Sequence, residues 1–122
     1  QEHTLTYSNA GQNMPFVVSQ GKKSVSLKTR GIALGIKQNL SYHVEKRVIN
    51  RGDIIVIYSD GISEAMNSRL KEFGDQRIKK MIKMNFKKSS KKLIQLIFSA
   101  VNQHFGKAFQ NDDMTMIVVK RK

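Results

Sequence analysis

Nine acidic residues stand in a chain of 122, and two small groups of them sit where chemistry could be done. The first is Tyr58-Ser59-Asp60-Gly61. Asp60 follows an apolar run, and Gly61 lets the chain turn behind it, so the carboxylate projects at the edge of a sheet. The second is Asp112-Asp113, just before a final apolar stretch. Adjacent carboxylates repel unless a cation or hydrogen bonds compensate them. Carboxylates at two strand ends can converge on one hard cation, and magnesium and manganese favour such oxygen donors. Aspartate before glycine is also a common turn, and an Asp-Asp pair can be plain loop polarity. On composition a turn and a metal site both fit.

Other reactive side chains offer less. Cysteine is absent, which excludes thiol nucleophiles, disulfide scaffolds and zinc-finger spacings. His3, His43 and His104 show no ligand spacing, and His43 and His104 read as structural or solvent-facing. Ser59 and Ser63 lack the partners of a hydrolase triad. No phosphate-binding glycine motif is present.

The elements that must position the acids follow from periodicity. Residues 4–8 alternate, with Leu5 and Tyr7 on one side. Gly11 and Pro15 mark a loop. Strands are expected over 16–19, 25–29 and 40–49, with a small-residue loop at Gly31-Ile32-Ala33-Leu34-Gly35. After the turn at Asn50-Arg51-Gly52-Asp53, residues 54–58 are nearly all apolar and suit a central strand buried on both faces. One short helical turn fits 64–67. Helical spacing covers 75–86, begun by Asp75. A second helix runs from a Ser89 or Ser90 cap to about Phe105, with Leu93, Ile94, Ile97, Phe98 and Val101 on one face and Gly106 as its stop. Residues 114–119 form a last strand. The fold class is α+β, in one domain of 1–122.

Lysine and arginine number 22 against 9 acids, a formal net charge of +13. Residues 69–92 hold ten basic residues against Glu72 and Asp75, a net +8. A solvated face is the ordinary reading of such a run. Attraction to an acidic protein partner fits the same field. Nucleic acid is disfavoured, because Phe73 and Phe86 are the only aromatics there and Phe86 lies on an apolar stripe. Apolar residues make up 39%, too many for a disordered chain. No apolar run approaches the ~20 residues of a spanning helix, and the lack of cysteine is compatible with a cytoplasmic address.

The ordered motifs carry more than their spacing. Leu5-Thr6-Tyr7-Ser8-Asn9-Ala10-Gly11-Gln12-Asn13 comes first, then Gly31-Ile32-Ala33-Leu34-Gly35. Gly52-Asp53, Tyr58-Ser59-Asp60-Gly61-Ile62-Ser63-Glu64-Ala65, Phe73-Gly74 and Asp112-Asp113-Met114-Thr115 follow. Each motif is weak, but the series resembles the C-terminal part of PPM-type metal-dependent serine/threonine phosphatases, in their SpoIIE-like bacterial branch.

The resemblance implies an antiparallel β-sandwich flanked by helices, with two Mn2+ or Mg2+ ions at its edge. It implies hydrolysis of phosphoserine or phosphothreonine by a water that the ions activate. Asp60 and Asp112 are then metal ligands and the residues of catalysis. Asp113 is a further ligand or orients a water. Asn9, Gly11 and Gly35 are scaffold near the site. Gln12 replaces a usual histidine that is not a ligand. The family's upstream Asp-x-x-Gly-His-Gly motif is missing, so the resemblance implies a C-terminal portion whose sandwich is incomplete and which is inactive alone. Its expected partners are an upstream sensor or receiver domain and a phosphorylated protein, such as an antagonist of an anti-sigma factor. An unpaired sheet edge also invites a homodimer. An inactive phosphatase-like interaction module and a basic nucleic-acid binder are the competing classes.

Overall fold

A computed structural model describes residues 3–106 and 112–122. Strand β1 (Thr4–Tyr7) pairs antiparallel with β4 (Glu45–Val48), Thr4 opposite Val48 and Tyr7 opposite Glu45. The larger sheet is also antiparallel. It joins β2 (Phe16–Val18), β3 (Val25–Ser26), β5 (Ile54–Tyr58) and β6 (Met116–Lys120) in the order β3-β2-β5-β6. Among the described residues three helices follow β5: α1 (Asp60–Ser63), α2 (Asp75–Met84) and α3 (Ser90–Phe105).

The alternation of side chains makes three layers. Phe16, Val18, Ile54, Val56, Tyr58 and Val118 face the helices. There they meet Ile78 and Ile82 of α2 and Leu93, Ile97 and Val101 of α3, spaced three or four apart as one helical face requires. Each fully buried leucine or isoleucine contributes about 1.5–3 kcal/mol relative to exposure. On the other face, Val17 and Ile55 meet Leu5 and Tyr7 of the small sheet, with Leu27 and Ile49. The expected α+β sandwich flanked by helices is therefore present. Among the described residues no helix is long and apolar enough to cross a membrane.

Several elements differ from expectation, each for a local reason. The strand expected over 40–49 is confined to β4. Beyond Tyr7 its partner turns away, and the Ser8 hydroxyl, not a ladder amide, meets the His43 carbonyl at 2.9 Å. The strand expected over 25–29 is only β3, because its neighbour on β2 is preceded by Pro15. The Leu27 amide donates to the Pro15 carbonyl at 2.7 Å, but proline has no N–H to return. β5 is central but not buried on both faces, since Ile57 is 39% exposed where the small sheet does not reach. The helical turn expected at 64–67 forms instead at Asp60–Ser63. After it the Phe73 amide donates to the Ala65 carbonyl and Met66 bridges Glu72, which holds the chain extended. α2 ends at Met84, where the Asn85 side-chain amide takes the Met81 carbonyl.

Candidate active site at the end of the central strand

The site is built where β5 gives way to α1. Ser59, in extended conformation, follows the strand, and Asp60 opens the helical turn with an exposed carboxylate. Asp60 Oδ1 accepts from the Gly61 amide at 3.0 Å. The carbonyl of Asp60 is held twice, by the Glu64 amide at 2.8 Å and the Ser63 hydroxyl at 3.3 Å. Asn13, from the first motif, donates its side-chain amide to the same Ser63 hydroxyl at 3.3 Å. Thus the motif around residues 9–13 is tied to the acid-bearing turn through a serine.

The second acidic group lies against the first. The Ser59 hydroxyl donates to the Asp113 carbonyl at 3.1 Å and accepts from the Thr115 amide at 3.0 Å. The Ser59 amide donates to the Thr115 carbonyl, also at 3.0 Å. Gly61 is buried, and a methyl group there would strike the Asp113 carbonyl. The glycine is therefore needed for close backbone approach inside α1, rather than for the sharp turn expected behind Asp60. Asp112 Oδ1 accepts from the Asp113 amide at 2.7 Å, which orients one carboxylate of the pair.

Gly61, Glu64, Ala65, Met66, Phe105 and Asp112 line a cavity of about 220 Å3 beside this junction. Glu64 thus joins Asp112 at one opening. Its role was not legible from residue type; its place four residues after Asp60, one helical turn on, is the signal that could have raised it. Among the described residues no three histidine, aspartate or glutamate side chains are gathered closely enough to hold a metal ion. The donors present are hard oxygens, the type that manganese and magnesium take, but a full ligand set is not assembled here.

The remaining motifs are scaffold. Asn9 closes its own loop through Gln12, donating to its carbonyl and accepting from its amide. A Cβ on Gly11 would crowd Ala33, and one on Gly31 would strike the Asn9 carbonyl, so the two glycine motifs pack against each other. Gly35 has open space around it, and its φ of +86° alone explains the residue. Asp53 is buried at the opposite end of β5, where its carboxylate accepts from the Asn50 amide at 2.8 Å.

Tyr58 supports the site from below. Its hydroxyl donates to Asp75 Oδ1 at 2.7 Å, joining β5 to the start of α2. Burial pushes the phenol well above its ordinary value, and the hydrogen bond and charge of Asp75 add to the rise. His104 is structural. Its ring meets the Phe73 ring edge-on, and Nε2 lies 2.8 Å from the Lys71 carbonyl.

The family model for stage II sporulation protein E matches residues 1–122. The chain belongs to the SpoIIE family. Phosphoserine phosphatase RsbU of Bacillus subtilis is 31% identical over 124 residues, covering 99% of this chain and 36% of RsbU. Among solved structures, the SiaA-PP2C domain of Pseudomonas aeruginosa superposes with a TM-score of 0.84 at 18% identity, over 98% of this chain and 47% of that one. The manganese-presoaked phosphatase domain of SpoIIE from Bacillus subtilis gives 0.72 at 21% identity, over 99% and 52%. This SpoIIE-family chain thus spans about a third to a half of these three proteins. The structural likenesses establish a PP2C-type phosphatase fold.

Proposed function

We propose that the chain is the C-terminal portion of a metal-dependent protein serine/threonine phosphatase. The observation that carries the reading is the junction of the two acidic groups, with Ser59 and Gly61 holding the segment of Asp112 and Asp113 against the turn that bears Asp60. Asp60 and Asp112 would hold the metal, with Asp113 beside them as a further ligand or the orienter of a water. Bound manganese or magnesium would supply a lowered water pKa and neutralise charge on the phosphate oxygens. The chain's own work is positional. Ser59 fixes the spacing of the two acidic segments, Ser63 and the Glu64 amide hold the backbone of Asp60, and Asn13 braces Ser63.

Further ligands would come from outside these 122 residues. Two features support that. No three-ligand group exists among the described residues, and the sheet face opposite the helices is left partly open, with Ile57 39%, Ile117 51% and Val119 48% exposed. The proposed substrate is a phosphorylated protein, in line with the RsbU likeness. An antagonist of an anti-sigma factor as that substrate, an upstream sensor or receiver domain and a cytoplasmic address rest on the family resemblance.

The test is hydrolysis of a phosphoserine peptide, with manganese, by the longer protein that contains this chain. Asp60→Asn and Asp112→Asn should each lower turnover by more than about a hundredfold, beyond the 10–100-fold that loss of a supporting partner costs. Both should keep the parent's urea midpoint, since these carboxylates are exposed. Unchanged turnover in either variant overturns its residue's role. Robust turnover by residues 1–122 alone overturns the need for outside ligands.

A further inference from the structure

The basic segment takes no part in the site, and its lysines are not scattered. The turn between β2 and β3, α2 and the loop after it border two open, adjoining cavities of about 460 and 420 Å3 that share Lys83 as a wall. Met84, Phe86, Lys87 and Lys88 line the first. Lys23, Lys79 and Lys80 line the second. No acidic side chain lines either, and among the described residues none of these lysines is held in an ion pair.

The groove is also firm and partly apolar. Met84 is 74% exposed, an unusual position for a large apolar side chain among lysines. Lys120 reaches across from β6 and donates to the Phe86 carbonyl at 2.6 Å and the Lys88 carbonyl at 3.2 Å, with its ammonium 5.2 Å from the Phe86 ring centre. That brace fixes the loop forming one wall. The first cavity lies beyond the Val18–Ile54 end of the sheet, and the second runs along α2 toward Gln76, whereas Asp60 follows Tyr58 at the other end of β5. The length of β5, about 17 Å at ~3.4 Å per residue, separates the first cavity from Asp60.

We propose that this groove docks an acidic segment of a protein partner, one that carries carboxylates around an apolar side chain. The lysines match the carboxylates, and the exposed Met84 matches the apolar anchor. Nucleic acid fits less well. Binding without base readout needs open aromatic faces for stacking. Here Phe86 is half-buried beneath Lys120, and no tyrosine, tryptophan or histidine lines either cavity. Arginine, whose planar fork suits phosphate, is also absent from the lining. Neither cavity is lined by Asp60, Asp112 or Asp113, and the proposal stands apart from the phosphatase reading.

The experiment is fluorescence anisotropy with a labelled peptide in which glutamates and aspartates flank a central Leu-Phe pair. The comparators are its glutamine and asparagine counterpart and oligothymidylate of equal length. The acidic peptide should bind most tightly and weaken as salt rises. K80E/K83E on α2 and K87E/K88E on the following loop should each weaken it about tenfold, as reversal of facing charges does at complementary interfaces. The two double variants alter different elements, so a folding defect in one leaves the other as a test. D60N should bind the peptide as the parent does. The proposal is overturned if the parent does not bind the peptide, if both double variants bind as the parent does, or if oligothymidylate binds more tightly.

Discussion

Gly61 and Asp113 meet backbone to backbone. A Cβ on Gly61 would overlap the Asp113 carbonyl oxygen and lie 3.1 Å from its carbonyl carbon and 3.4 Å from the Asp112 Cβ. The two acid-bearing segments reach this spacing only because residue 61 has no side chain. Neither neighbour is the flexible tip of a side chain, so the clash cannot be relieved by a rotamer change.

Gly61→Ala should therefore displace the 112–113 segment. An overpacked contact of this kind costs about 1–3 kcal/mol. Urea unfolding should show a lower midpoint with an unchanged slope. In the longer protein the same variant should lose turnover although no carboxylate has been removed. A parent-like midpoint with full turnover would show that the segment has room to move.

Ser59→Ala removes the hydroxyl that both donates to the Asp113 carbonyl and accepts from the Thr115 amide. The hydroxyl is only half-buried and water can replace part of what is lost, so the expected cost is about 1 kcal/mol. The sharper readout is hydrogen exchange. The Thr115 amide should exchange faster in the variant, while Val118, deep in the β5–β6 ladder, should not change. Unaltered exchange at Thr115 would mean that the serine does not hold this segment.

Tyr58→Phe tests the strut between β5 and α2. Its hydrogen bond to the Asp75 carboxylate is worth about 1.5–3 kcal/mol at neutral pH. The pH dependence has a definite sign. The phenol is raised in the folded state above its ordinary value of about 10, so the folded chain keeps a proton that the unfolded chain releases. That stabilisation is whole below about pH 10 and is lost as pH rises above it. The stability gap between parent and variant should therefore narrow above pH 10 and stay constant between pH 7 and 9. A constant gap at all pH values would contradict the raised phenol.

Local signals carried much of this fold, and α3 shows why. Ser89 caps it, its hydroxyl accepting from the Lys92 amide at 3.3 Å, and Gly106 closes it at φ +56°. Those residues act within one helical turn, so their spacing along the chain contains the needed information. β4 shows the opposite case. Residues 40–44 alternate as a strand should, yet no strand forms, because a ladder needs a partner and β1 ends at Tyr7. β5 likewise reads as apolar on both sides, but cover on its outer face depends on the reach of another sheet.

The same division holds at the site. Residue type and motif order single out Asp60, Asp112 and Asp113. Only the tertiary structure brings the two acidic segments together through Ser59 and Gly61, adds Glu64 to the opening beside Asp112, and removes Asp53 to the far end of β5. The physical reason is one of range. Charge, caps and periodicity act between residues a few positions apart, whereas the Ser59–Asp113 bond and the Gly61–Asp113 contact join residues more than fifty positions apart, and they exist only once β6 has paired with β5.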